Sequence, residues 1–325
     1  MKRALITGIN GQDGSYLAEL LLSKGYLVHG VVRRDALEDP IHRLANITSI
    51  SNDIKLHVGA LDNPLSIYKI IASVRPDECY HLASSSFVSY NFEDESSILA
   101  NNFAGTHSLL SSITELVPEC RVYFAGSSEM FGDVRTTPQD ESTPFNPRAV
   151  YGISKLAAFH LARNYREHRK LFVAAGILYN HESPRRGFQF VTRKISTAVA
   201  RIHLGLADRL ELGNLDARRD WGYAPDYVSV MHAMLQEPSP EDYVVASGTL
   251  HTVRDFLTQA FAVVDLLPED FTRTNPDHFR PTEAVPLCGN ATKARSRFGW
   301  QPTRTFAEVV REMVVADIDR LRRTG

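Results

Sequence analysis

The chain has 325 residues, 43% hydrophobic and 23% charged, long enough to bury a large core as one big domain or two coupled ones. A formal net charge of −2 disfavours nucleic acid as a partner. Three scattered cysteines (Cys79, Cys120 and Cys288) show no CxxC pairing, which argues against a disulfide framework or a metal site and fits a reducing, cytoplasmic setting. No apolar run reaches membrane-spanning length and residues 1–14 enter a strand and glycine loop directly, so neither a membrane nor a signal peptide is expected.

Arg3 to Thr7 reads as a short apolar strand. Gly8-Ile9-Asn10-Gly11-Gln12-Asp13-Gly14 follows, then a segment with Leu17, Leu20 and Leu21 at helical spacing and Gly25 closing the helix. Tyr26 to Val32 is the second strand. Such a unit offers backbone N–H groups and the positive end of a helix dipole to a pyrophosphate, so Gly8 to Asp13 form the candidate cofactor loop. An NAD site carries an acid at the end of the second strand, for the ribose hydroxyl. Here Arg33 and Arg34 stand there, with Asp35 just behind. Two guanidinium groups suit a 2′-phosphate, so NADP is the expected cofactor.

The alternation continues. Lys55 to Val58 is strand three, Asn63-Pro64 starts a helix to Val74, and Glu78 to Leu82 is strand four. The turn Ala83-Ser84-Ser85-Ser86 has small side chains that leave room for a cofactor. Ser97 to Leu116 reads as one long helix, with Asn101, Asn102 and His107 along it as bridges to loops. Arg121 to Ala125 and Leu171 to Leu178 are strands five and six. This order predicts an α/β fold with a doubly wound parallel Rossmann sheet and ligands at the strand C-terminal ends.

The chemistry is expected between strands five and six. Ser127-Ser128-Glu129 put a hydroxyl and a carboxylate at a strand end. Tyr151 and Lys155 are spaced i, i+4, on one face of a helix. A Lys⁺ beside a Tyr favours the phenolate, which predicts a Tyr pKa below about 10 and a general base usable near neutrality. After Leu178 the pattern turns polar, from Asn180 to Gly187. A helix is expected from Val191 to Leu204, and isolated basic side chains suited to a diphosphate recur in DARRDW and FRPTE. Phe306 to Leu321 reads as a final amphipathic helix that packs as a cap.

These motifs resemble the extended short-chain dehydrogenase/reductase family, and within it the family of GDP-mannose 4,6-dehydratases. The resemblance rests on ALITGINGQDGSYLAELLLSKGY, GSSEMFG, TPFNPRAVYGISK, NYRE, GILYNHESPRRG, FVTRKI, LGNLDARRDWG and FRPTE, spread over nearly the whole chain. It implies conversion of GDP-D-mannose to GDP-4-dehydro-6-deoxy-D-mannose, with hydride moving from C4 to C6 by way of NADP and loss of water. The implied catalytic set is Ser127 (Thr in much of the family), Glu129, Tyr151 and Lys155. The implied cofactor contacts come from the glycine loop, then Arg33, Arg34, Leu61, Leu82, Ser84 and Ser86, with Lys155, His181 and Arg186. Substrate contacts fall on Ser86, Glu129, Asn180, Lys194, Arg219, Arg280 and Glu283. Residues 1–178 are expected to form the NADP-binding domain that carries the catalytic groups. Residues 179–325 would be a smaller, mixed α/β substrate-binding domain, with segments near 215–250 returning to the first. A homodimer or homotetramer is also implied.

The chain departs from the family pattern where it has Ala60-Leu61 in place of Asp-Leu, Ser84-Ser85-Ser86 in place of Ala-Gln-Ser, and Ser97 in place of Tyr. These positions line the cofactor and sugar pocket and leave another GDP-linked sugar, or a 4-reductase or epimerase, as alternatives. Glu129 separates them, since a plain epimerase or reductase needs no carboxylate two residues after the serine.

Overall fold

The computed structural model describes residues 1–85, 92–275 and 285–324, with the side chains of residues 92–94 and 324 left aside. Ser86, Arg280 and Glu283 lie outside the described residues. In chain order the strands are β1 (Arg3–Thr7), β2 (Leu27–Val32), β3 (Ile54–Val58), β4 (Glu78–His81), β5 (Arg121–Ala125), β6 (Val173–Leu178), β7 (Asn180–Glu182), β8 (Leu210–Leu212), β9 (Arg218–Tyr223), β10 (Asp242–Val245), β11 (Leu250–Thr252) and β12 (Thr272–Thr274).

Seven of these form one parallel sheet in the order β10-β6-β5-β4-β1-β2-β3. The central strands are apolar on both faces, because helices cover both. Ala4, Leu5 and Ile6 of β1, Tyr80 of β4 and Tyr123 of β5 are fully buried. Six strands were expected from the alternation; β10 adds a seventh at the edge beside β6. The order reverses at β1, which has β2 on one side and β4 on the other, so a crevice opens above their C-terminal ends. One buried side chain shapes that crevice. Thr7 Oγ1 accepts from the N–H groups of Leu82 and Ala83, both at 3.1 Å, and sits 2.9 Å from His81 Nδ1. His81 Nε2 lies 3.0 Å from Thr106 Oγ1. Burial pushes the His81 pKa down to about 3, so the ring is a neutral strut.

The segment read as one helix is a composite. Phe92–Leu99 is α-helical, Ala100–Ala104 is a π turn, and Gly105–Leu116 is α-helical again. A π turn inserts one extra residue and re-aims the side chains around it. Asn101 and Asn102 both fall within it and are buried, at 4% and 2% exposure.

A second hydrophobic core lies apart from the sheet. It joins Ile195 and Val199 of the helix Val191–His203, Phe256 and Phe261 of Val253–Ala262, and Val310, Met313 and Val314 of Phe306–Thr324, with Trp221 of β9. Thr252 and Asp255 close a capping box at the start of the middle helix. Arg193 and Asp317 form an ion pair at 2.8 Å inside this packing, with side chains 4% and 0% exposed. The carboxylate also accepts from Ser196 Oγ at 2.7 Å. The small sheet β11-β9-β7 connects this core to the first, and β12-β8 packs on the second core alone. β7 begins two residues after β6 ends, which brings the second half of the chain to the crevice.

Candidate active site

The crevice is a cleft of about 960 Å³. Its floor is the loop after β1. The helix Gln12–Ser23 starts at Gly11 with no side-chain cap, and Gly11, Gln12 and Asp13 line the cleft. A Cβ at Gly14 would lie 2.2 Å from the carbonyl oxygen of Gly8, so only glycine lets this helix seat against the strand end. Gln12 is stitched to the other half of the chain. Its Nε2 donates to the His181 carbonyl at 3.0 Å, and its Oε1 accepts from Ser183 Oγ at 2.8 Å.

Asp13 and His181 face each other at 2.9 Å. Burial opposes charge on both, but their mutual attraction prevails: the His181 pKa is raised and that of Asp13 lowered. Arg186 adds a cation to the same wall, 3.2 Å from Glu182 and stacked 3.6 Å above the ring of Phe190.

The chemistry-bearing groups converge above β5. Ser127 caps the short turn Ser128–Met130, its Oγ accepting from the Glu129 N–H at 3.2 Å. That leaves its own O–H free to donate, and after burial Ser127 has the largest influence on the ionisation of Tyr151, lowering its pKa. Tyr151 sits in the first turn of the helix Val150–Arg169. Gly152 lets that helix approach: a Cβ there would be 2.5 Å from the Glu129 carbonyl oxygen. The Tyr, the Ser and the Glu are therefore held by one tight backbone contact.

The structure corrects the expected ionisation. Burial pushes the Tyr151 pKa up to about 12, not below the usual value. Ser127 pulls against the rise, Glu129 adds to it, and Arg186 and Ser84 pull against it. Lys155 does share the face of Tyr151, but its Nζ donates to the Ala125 carbonyl at 2.8 Å and lies over the Phe124 ring. Burial alone lowers Lys155 to about 8. The spacing in the sequence is right; what it does not carry is the carbonyl that competes for the ammonium.

At the far end of the cleft stand the cations next to β2. Arg33 Nη2 donates to Asn101 Oδ1 at 3.0 Å. Arg34 does not reach the cleft; it opens the short helix Arg34–Glu38 with its side chain exposed. The second lining cation is Arg43, absent from the sequence reading. It pairs with Asp35 at 2.9 Å, and its carbonyl accepts from Asn10 Nδ2 at 3.0 Å. Asn46 Nδ2 in turn donates to the Asn10 carbonyl at 3.1 Å. The available signal was Asp35 itself, an acid that needs a cation where the chain turns back at Pro40.

Of the other expected residues, Leu61, Leu82, Ser84 and Asn180 line the cleft. Ile9 does not: it is fully buried, its side chain filling the space that a Cβ at Gly30 would need. Lys194 is exposed on the helix Val191–His203, and Arg219 lies on β9 with Nη1 donating to the Arg218 carbonyl at 2.7 Å; neither lines the cleft. The residues present do suit a phosphorylated dinucleotide, with an uncapped helix start between two sets of cations.

Comparison with known proteins places this cleft in context. The profile of the family described as GDP-mannose 4,6 dehydratase matches residues 5–313. The GDP-mannose 4,6 dehydratase of Homo sapiens is 43% identical over 98% of this chain and 92% of its own. The GDP-mannose 4,6-dehydratase of Yersinia enterocolitica is 39% identical over 99% and 95%. A dTDP-glucose 4,6-dehydratase from Bacillus anthracis, solved in complex with NAD, superposes with a TM-score of 0.85 over 99% of this chain and 98% of its own, at 20% identity, and shares the fold. With a family profile over most of its length and relatives this similar across both halves, the chain belongs to the GDP-mannose 4,6-dehydratase family.

Proposed function

We propose that the protein converts GDP-D-mannose to GDP-4-dehydro-6-deoxy-D-mannose and water, with NADP as cofactor. The observation that carries this is Glu129 in the same cleft as Tyr151, Lys155 and Ser127, close enough for its charge to act on Tyr151. NADP, when bound, supplies the hydride acceptor and donor that leave the reaction redox-neutral overall.

The side chains do the proton work. Tyr151 takes the proton of the C4 hydroxyl, with Ser127 donating to the developing phenol–phenolate oxygen. Lys155 stabilises the phenolate once it turns from the Ala125 carbonyl. A ketone at C4 acidifies the C5 proton, Glu129 removes it, and the same carboxyl protonates the departing C6 hydroxyl. Arg33 and Arg43 are the cations for the 2′-phosphate, and the uncapped start of the helix Gln12–Ser23 receives the pyrophosphate. His181 and Arg186 close the catalytic end. Asn180, Lys194 and Arg219 belong to the sugar-nucleotide side of this reading, together with Arg280 and Glu283.

Residues 1–178 serve as the cofactor domain and the second core as the substrate domain. A homodimer or homotetramer in the cytoplasm completes the reading. Leu99, Phe103 and Ile153 support it as exposed apolar side chains on neighbouring helices, as does the free state of all three cysteines. Among the described residues no helix is long and apolar enough to cross a membrane.

The test is mass spectrometry of the product formed from GDP-D-mannose with catalytic NADP. The product should weigh one water less than the substrate, and deuterium at C4 should end on C6. A product that keeps its C6 hydroxyl, or label lost to solvent, would overturn the assignment.

A further inference from the structure

We propose that Asp220 and Gln139 are positioning residues for the sugar-nucleotide side of the site: they clamp residues 288–290 between the two cores and so fix Arg219 in relation to Asn180. This rests on the assignment of Arg219 and Asn180 to the substrate.

Gln139 forms one jaw of the clamp. Its N–H donates to the Cys288 carbonyl at 2.8 Å, and its carbonyl accepts from the Asn290 N–H at 2.7 Å, a parallel bridge. Its side chain, 0% exposed, repeats the grip. Oε1 accepts from the Cys288 N–H at 2.9 Å and from the Tyr179 hydroxyl at 2.8 Å, and Nε2 donates to the Thr136 carbonyl at 2.8 Å. Asp220, 1% exposed, forms the other jaw. Its Oδ1 accepts from the Ser247 N–H at 2.9 Å and from Ser247 Oγ at 2.6 Å. Its Oδ2 accepts from the N–H groups of Gly248 at 3.0 Å and Gly289 at 3.1 Å. Gly289 lets the segment pass between the jaws, since a Cβ there would lie 2.7 Å from the Tyr179 ring.

Both jaws hold a neighbour of a substrate residue. Tyr179 is followed by Asn180 in the cleft wall, and Asp220 is preceded by Arg219 in β9. β7 and β9 pair, with Asn180 opposite Trp221. None of the clamp's bonds involves Ser127, Glu129, Tyr151 or Lys155. A buried carboxylate is costly to desolvate, and a well-packed apolar residue would join two cores more cheaply. What the carboxylate adds is direction. Its two oxygens take four donors, three of them backbone N–H groups, and so fix the main chain of residues 247–248 and 289 against β9.

Asp220→Asn keeps the shape and removes one acceptor. Whichever way the amide turns, its NH2 faces backbone N–H, that of Ser247 on one side or those of Gly248 and Gly289 on the other. Gln139→Met leaves the Tyr179 hydroxyl and the Cys288 N–H without their acceptor. Ser247→Ala is milder and removes one donor to Asp220.

The test compares these three variants with the unmodified protein by steady-state kinetics, by calorimetry with GDP-D-mannose and with NADP, and by thermal melting. Asp220→Asn and Gln139→Met should each raise KM for GDP-D-mannose about tenfold and change kcat less than about threefold, the signature of lost remote binding. NADP affinity should stay unchanged, and Ser247→Ala should move KM the same way by less. A lower melting temperature with KM unmoved overturns the proposal, because the clamp then only holds the fold together. So does a loss of NADP affinity as large as the rise in KM. If Asp220→Asn and Gln139→Met fail to fold, Ser247→Ala decides, and an unmoved KM there overturns the proposal. If the unmodified protein binds GDP-D-mannose but forms no deoxy sugar, the activity assignment fails, and calorimetry across the variants still reads the clamp. If GDP-D-mannose does not bind the unmodified protein, both readings fall.

Discussion

The two ends of the cleft are built on opposite terms. At the Tyr151 end Ser127, Tyr151, Lys155 and Asn102 are buried, and the hydrogen bonds have named partners: Ser127 with Glu129, Lys155 with Ala125, Asn102 with Ser84, Ser85 and Ser154. At the Arg33 end the groups are charged and open to water, with Arg43 and Asp35 about half exposed. Burial makes one proton decisive at the first end. At the second, solvent screening makes any single charge a modest contributor. Chemistry sits where displacement is costly, and recognition of a phosphate sits where cations can be shared.

The strongest way to break this contrast is at the buried end. Glu129→Gln should lower formation of the deoxy product by at least about 100-fold, the low end for one general acid–base group. It should still accumulate reduced cofactor, visible as absorbance. Tyr151→Phe should lose as much product but show no reduced cofactor, because the first proton transfer fails. Normal turnover in either variant would remove the assignment of that residue.

The pH dependence comes next. Burial raises the Tyr151 pKa, so the residue is protonated at neutrality and its basic form grows about tenfold per pH unit. Initial rates should therefore climb with pH from 7 upward and flatten only as substrate binding or stability fails. A profile level between pH 7 and 9 would show that substrate and cofactor reset the ionisation.

Gly152→Ala tests whether the buried end has slack. Its new Cβ meets a carbonyl oxygen at 2.5 Å, and overpacking of that kind costs about 1–3 kcal/mol. Chemical denaturation should report the loss, and an unchanged midpoint would mean that the helix can shift away from Glu129. At the open end, Arg33→Ala and Arg43→Ala should each weaken NADP by about tenfold, near the low end for a charged hydrogen bond, and leave NAD nearly unchanged. Arg34→Ala should do neither, and calorimetry with both cofactors separates the three. Asp35→Ala is the smallest change, since an exposed pair contributes about 0–1 kcal/mol. It should alter NADP affinity by less than about fivefold.

What could be read from the sequence divides along the same line. Local patterns carried through: the glycine loop, the alternation, and the Tyr151–Lys155 spacing all describe neighbours along one element. What escaped depends on distant segments. The Ala125 carbonyl that holds Lys155 lies 30 residues away in sequence. Arg43 lines the cleft with its carbonyl held by Asn10, 33 residues earlier. Arg34 looked equivalent to Arg33, yet the chain turns into a short helix between them and sends the two side chains different ways. The π turn was equally hidden, because ANNFA reads as ordinary helix until its tertiary partners are known.

The Arg193–Asp317 pair bears on how the chain is made. A ribosome delivers residue 193 long before residue 317, so the helix Val191–His203 must wait with a cation that has no counter-ion. Removing one member of a buried pair costs about 3–5 kcal/mol, a large share of a typical domain's stability. A chain cut short before Asp317 would therefore keep its sheet and be unable to close its second core. Nascent chains arrested before that residue should be cleaved readily in the stretch from 191 to 262 while residues 1–178 already resist. Release of the last helix should end that susceptibility in a single step.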